Sequence, residues 1–248
     1  MTDIVINLKN VNKIFDMQYG KIGLGLTKKK IPKKLIALSN ISLQVSKGET
    51  VALLGLNGSG KTTLLRVISG IYKPESGFVE IKGTIAPLLQ ISTGFNVELN
   101  AIDNIKQYGM LLGFSKKEIE GKIKTILDFA ELQKFSNMKI KNYSSGMRAR
   151  LGFATAFQVN PDILLVDEVL AVGDETFRRK SFKEFFKFKE QGKTIVFTTH
   201  NLNWISKLAD KVVLLSEGKI IETGIPEIVL EKYRSITDKH EKNQDGNS

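Results

Sequence analysis

Gly55-Leu56-Asn57-Gly58-Ser59-Gly60-Lys61-Thr62 fills every position of the pattern G-x-x-x-x-G-K-[ST], the P-loop that cradles phosphate. In front of it, Val51-Ala52-Leu53-Leu54 reads as a buried strand. Behind it, Thr63 to Ser69 reads as a helix with Leu64, Leu65 and Ile68 on one face. Strand, glycine loop and helix in that order are the context the pattern needs. The glycines let the backbone turn tightly and aim successive N–H groups at one anion, and the helix N-terminus adds positive potential. Lys61 reaches the β- and γ-phosphates of a nucleotide, and the Thr62 hydroxyl is placed for Mg²⁺. Gly55, Asn57, Gly58, Ser59, Gly60 and Thr63 complete the expected cradle. A chance glycine turn would not bring the lysine, the hydroxyl and both flanking elements with it.

Composition agrees with a soluble intracellular nucleotide enzyme. A chain of 248 residues can bury a full core. With no cysteine, no disulfide framework or thiolate metal site exists, and His200 and His240 are too few for a histidine-rich metal cluster. No apolar run approaches the roughly 18 residues of a membrane-spanning helix. The start, MTDIVINLKN, lacks the basic region and long apolar stretch of a secretion signal. The net charge of +11 invites polyanions. Part of it sits in one block without acids, Lys21, Lys28, Lys29, Lys30, Lys33 and Lys34, where Gly20, Gly23, Gly25 and Pro32 mark a loop or insertion. A solvated lysine-rich surface and a patch facing an anionic membrane both fit. No nucleic-acid partner is expected, because helix-turn-helix, zinc-finger and aromatic-basic RNA motifs are all missing.

Outward from the loop, strands alternate with helices as in a parallel sheet covered on both faces. Ile4–Leu8, Ile41–Val45 and Phe78–Lys82 read as short strands, and Ile163–Val166, Thr194–Thr198 and Val212–Leu215 as core strands. A Lys/Glu-rich helical middle runs from about Asn100 to Ala156, with one helix expected over Lys116 to Phe129 from Ile119, Ile123, Ile126 and Leu127. The expected organisation is one domain over residues 1–238, its core about 1–90 and 157–238, its helical insert about 91–156. A polar, disordered tail is expected from Lys239 to Ser248.

The second chemical landmark is Ile163-Leu164-Leu165-Val166-Asp167-Glu168, a buried strand that delivers two adjacent carboxylates. Asp167 can hold the hydration shell of Mg²⁺, and Glu168 can orient or deprotonate an attacking water. Alone such a strand is ordinary. About 100 residues after the glycine loop, it is the second half of the same site.

Between these landmarks, Tyr143-Ser144-Ser145-Gly146-Met147 resembles the signature LSGGQ of the ATP-binding cassette family. Ser144 and Gly146 match; Ser145 and Met147 depart from the pattern. Val169-Leu170-Ala171-Val172-Gly173-Asp174 fits the D-loop, His200 after Thr198-Thr199 fits the switch histidine, and Gln90 fits the Q-loop. Phe15 sits where an aromatic stacks on adenine in the family. Each has a bland alternative: Ser144 or Ser145 as a plain helix cap, His200 as a strand-end histidine, Gln90 as a loop amide. In this order they point together. The resemblance implies an α/β fold: a P-loop NTPase (RecA-like) core, an antiparallel β subdomain and a helical signature subdomain. It implies catalysis by Glu168, His200 and Gln90. ATP would contact the cradle, Phe15, Ser144, Gly146 and Asp174, and Mg²⁺ would bind at Thr62, Gln90 and Asp167.

In the family two chains pair head to tail, so a homodimer with two composite sites is expected. The passage Leu88 to Leu99, with the signature and D-loop, resembles the branch that exports lipid-linked polysaccharides, O-antigen and teichoic acid among them. That implies an integral-membrane permease partner, a lipid-linked glycan as substrate and a place at the cytoplasmic membrane face. Phe95, Val97, Leu99 and Tyr108 are candidate permease contacts, with packing inside the insert as the alternative. Two other classes stay open: a cassette ATPase for another substrate or for ribosomes and nucleic acid, and an ATP-gated scaffold without catalysis.

Overall fold

The computed structural model describes residues 3–17, 33–89, 94–168 and 174–245. Strands β1 (Ile4–Met17), β2 (Lys33–Ser46) and β4 (Ser76–Ile81) form an antiparallel sheet in the order β2-β1-β4. The second sheet contains β3 (Thr50–Leu54), β5 (Ile85–Leu88), β6 (Ile163–Asp167), β7 (Thr194–Thr198), β8 (Lys211–Ser216) and β9 (Lys219–Gly224). Its order is β5-β6-β7-β3-β8-β9, parallel except for the β8–β9 pair. Successive side chains of a strand face opposite sides, and here both sides are covered. Ala52 and Leu54 of β3 join one core cluster with Leu164, Val166, Phe197 and Leu214. Val51 and Leu53 join the other with Leu165, Val196 and Leu215, against the β1–β2 sheet. That is why these strands read as unbroken apolar runs.

The helices are α1 (Lys61–Ile68), α2 (Ala101–Leu111), α3 (Lys116–Glu120), α4 (Ile123–Ala130), α5 (Ser145–Gln158), α6 (Glu175–Glu190), α7 (Leu202–Leu208) and α8 (Pro226–Asp245). Helices α2 to α5 fall between β5 and β6 in the chain and extend the first core cluster. Phenylalanines bind them together. Phe153 stacks on Phe157 at 4.4 Å between ring centroids, and Phe157 meets Phe185 of α6 edge-on at 4.8 Å. Among the described residues, no helix is long and apolar enough to cross a membrane.

Three expectations need correction. The strands at Ile4–Leu8 and Ile41–Val45 are parts of two 14-residue strands. They continue through register shifts at which Asn10 and Asn40 take φ of 51° and 54°, a conformation asparagine tolerates and bulges use. The polar Asn-rich stretch masked that continuity. The single helix over Lys116–Phe129 is two, α3 and α4, with Gly121 as the C-cap of the first. Past Lys239, where a disordered tail was expected, α8 runs on to Asp245. Burial of Val229 and Leu230 anchors that helix, and its Lys, Glu and Gln are good helix formers that extend it. The lysine block lies largely outside the described residues. Of that block only Lys33 and Lys34 are described, on β2, where they pair with Met17 and Asp16 of β1.

Candidate active site

The C-terminal ends of β3, β7 and β6 lie side by side, the edge where open α/β sheets bind ligands. The glycine loop leaves β3 here and ends at α1, whose N-cap is Gly60. Gly60 has φ of 104°, and a side-chain carbon on it would sit 2.7 Å from the Ala37 carbonyl oxygen. Gly55 has φ of 149°, and any side chain there would collide with the Leu215 carbonyl. Only glycine fits either position. Lys61, 8% exposed, donates through Nζ to the carbonyls of Gly55 at 2.8 Å and Leu56 at 3.0 Å. Burial holds its ammonium below the usual lysine range, while the charges of Glu168 and Asp167 pull the other way. The Ser59 hydroxyl is buried without a hydrogen-bond partner among the described residues.

A cavity of about 270 Å³ opens over the loop. Phe15, Asn57, Gly58, Gly60, Lys61, Thr62, Thr63 and Glu168 line it, with Leu35, Ile36 and Ala37 of β2. Asp167 ends β6 and Glu168 follows with φ of 50°, a strained backbone for a residue with a side chain. His200 Nε2 lies 2.7 Å from Glu168 Oε1. The Lys61 ammonium, the Glu168 and Asp167 carboxylates, the Thr62 and Thr63 hydroxyls and the glycine-loop backbone suit a phosphate chain with a hard divalent ion. Among the described residues, no three His, Asp or Glu side chains form a protein-only metal site. The adjacent carboxylates of Asp167 and Glu168 are of the kind that suits Mg²⁺, which is held by one or two carboxylates and substrate phosphates.

Ser144, Gly146 and Asp174 do not line this cavity. Ser144 is exposed at the N-cap of α5 and accepts from the Met147 N–H at 3.1 Å. Just before it, buried Tyr143 donates its hydroxyl to the Phe135 carbonyl at 2.7 Å and anchors the turn. Asp174 caps α6 by accepting from Phe177 N–H at 2.9 Å and meets Arg150 of α5 at 2.5 Å. The Phe177 N–H, and then the Arg150 charge, hold its carboxyl below the usual range. Gln90, and the D-loop ahead of Asp174, lie outside the described residues. Tyr108 is buried 9% exposed in the insert and meets Phe95 edge-on at 5.5 Å, so it is a core residue. Val97 is exposed, with Met110 and Leu111 of α2.

Several contacts had no sequence signal. Leu35, Ile36 and Ala37 reach the cavity through strand pairing, Leu35 opposite Phe15. Tyr72 meets the Phe15 ring edge-on at 5.2 Å, and Arg66 donates to its hydroxyl at 2.9 Å. Thr198, fully buried on β7, faces Asp167 across the sheet.

A glycine loop on β3, acids on β6 and a histidine after β7, with a helical insert between, define a P-loop ATP-binding cassette. The family model described as ABC transporter matches residues 38–171, more than half of the chain. This chain belongs to the ABC transporter family. It is 40% identical over 240 residues to the O-antigen export system ATP-binding protein RfbB of Klebsiella pneumoniae, covering 93% of this chain and 97% of that protein. It is 46% identical over 200 residues to the teichoic acids export ATP-binding protein TagH of Bacillus cereus, over 81% of this chain. The chain spans only 36% of that relative's length. Among solved structures it is similar to a dimeric post-hydrolysis ATP-binding cassette bound to ADP and Pi. The TM-score is 0.73, at 26% identity over 89% of this chain and 98% of that one.

Proposed function

We propose that this chain binds and hydrolyses ATP as half of a homodimer and so drives export of a lipid-linked polysaccharide through a separate integral-membrane permease. The observation that carries the hydrolytic part is the Glu168–His200 contact of 2.7 Å beside the cavity that Lys61 lines. The substrate class rests on the relatives, which are named for O-antigen and teichoic acid export.

Phe15 stacks on the base, the glycine-loop N–H groups and Lys61 take the phosphates, and Ser59 gains a partner there. Thr62 and Asp167, with Gln90, would hold Mg²⁺, which would supply positive charge to offset that of the phosphates. Glu168 orients the attacking water and takes its proton, while His200 fixes the carboxylate. The open side of the γ-phosphate is closed by the partner's signature helix. Ser144 spends one lone pair on its cap and keeps its O–H proton for a phosphate oxygen, and the α5 N-terminus adds its dipole. ATP holds the halves together; hydrolysis adds charge and separates them. Exposed Val97, Met110 and Leu111 form the permease docking face, at the cytoplasmic side of the membrane.

Glu168→Gln tests the reading. Turnover should fall about 10²- to 10⁴-fold, nucleotide binding should persist, and an ATP-trapped dimer should elute by size-exclusion chromatography. A variant that hydrolyses normally and stays monomeric in saturating ATP removes it.

A further inference from the structure

Thr198 reaches both acidic residues with one hydroxyl. It sits on β7 in register with Asp167 of β6 and is 0% exposed. Its O–H donates to Asp167 Oδ1 at 2.7 Å. Its oxygen accepts from the Glu168 backbone N–H at 3.1 Å. The polarity closes on itself: the hydroxyl's single proton goes to a carboxylate and a lone pair goes to an amide. The bond to Asp167 uses one of that carboxylate's roughly four lone-pair sites and leaves the rest for other ligands. The bond to Glu168 falls at the residue whose φ is 50°, a conformation that persists only where surroundings over-determine it. The same Glu168 carries the side chain that meets His200 at 2.7 Å.

We propose that Thr198 is a positioning residue for both acids: it orients Asp167 toward the divalent ion and pins the turn that aims Glu168 at the attacking water. The proposal rests on the assignment of those acids above. It is a role no contact with the nucleotide would reveal, because the hydroxyl acts through Asp167 and Glu168 alone. Nor does the strand need it, since valine has the same shape and favours strands equally.

Thr198→Val removes the hydroxyl and keeps the volume; Thr198→Ser keeps the hydroxyl. ATP binding is measured by calorimetry on the full chain with and without Mg²⁺, alongside steady-state hydrolysis. In Thr198→Val, binding without Mg²⁺ should match the parent. The Mg²⁺ concentration that half-saturates the tightening of ATP should rise about tenfold or more, as when a group behind a metal ligand is lost. The turnover number should fall about 10- to 100-fold, with the ATP half-saturation point in excess Mg²⁺ little changed. Thr198→Ser should restore most of both. A folded Thr198→Val with parental Mg²⁺ dependence and turnover overturns the proposal. Should valine not fold, Thr198→Ala and Thr198→Ser are compared instead, and equal Mg²⁺ dependence in those two overturns it as well. Glu168→Gln run in parallel separates the failures. Normal hydrolysis there sinks the assignment of the acids, whereas a dead Glu168→Gln beside a normal Thr198→Val sinks the positioning role alone.

Discussion

Gly55–Thr62 and Ser144–Met147 each present a helix N-terminus, yet one is built inward and the other outward. The glycine loop is wedged beneath core backbone: Ser59 and Lys61 are 4% and 8% exposed, and Lys61 already holds two carbonyls of its own loop. At the α5 end, Ser144 and Ser145 are exposed and only the buried Tyr143 beneath them is fixed. A buried cation is desolvated and therefore strong toward phosphate. An exposed helix end is screened by water until something covers it. On the proposed function, the glycine loop binds by itself, and the α5 end gains strength only when a nucleotide is sandwiched against it.

Disabling the two helix ends in separate chains has the largest expected effect. Lys61→Ala should weaken ATP binding by about 3 kcal/mol, roughly a hundredfold. Ser144→Arg should leave binding to the free subunit intact and abolish ATP-dependent dimerisation and turnover. Mixed in equal amounts, the two dead variants should regain about a quarter of the parental turnover, because a mixed two-fold dimer keeps one intact composite site. Absence of any complementation would show that hydrolysis is not shared across two chains.

Phe15→Ala comes next. Loss of a stacking ring should weaken ATP by about 1–3 kcal/mol and leave inorganic triphosphate binding alone. Equal losses for both ligands would place Phe15 outside the base site. Smaller still is the pH effect at Lys61. Its folded-state value lies below the unfolded one because burial disfavours the charged form. Raising pH from neutral to about 10 should therefore weaken ATP binding as the proton leaves. The nucleotide-free fold should gain stability over the same window, since deprotonation relieves the desolvation cost. Calorimetric binding and thermal melting should move in opposite directions. The smallest effect belongs to Arg150→Ala. It severs the pairs with Glu131 and Asp174 at 3.1 and 2.5 Å, but both acids are half exposed or more, and the loss should be about 1 kcal/mol or less.

Local spacing carried much of the site. Lys61 and Thr62 are neighbours of the glycines, and Asp167 and Glu168 end one apolar run, so their chemistry is visible along the chain. The interruption between α3 and α4 was hidden, because four isoleucine and leucine positions keep helical spacing across Gly121. The length of β1 and β2 was hidden behind asparagines that sit in bulges. Leu35, Ile36 and Tyr72 carry no motif, since each reaches the site from another element and nothing in its own neighbourhood says so; Thr198 leads into the His200 motif, but its bonds to Asp167 and Glu168 depend on strand pairing.

The chain alone determined that phosphate is bound, because a glycine loop's conformation is set by residues in immediate succession. The long apolar runs likewise dictated a sheet covered on both faces. Only the tertiary structure decided which groups share the cavity. The order β6-β7-β3 brings Asp167, Glu168 and His200 beside Lys61 across more than 100 residues of chain, and leaves Ser144 on the outside. Strand order is settled by packing among distant segments, and no local pattern encodes it.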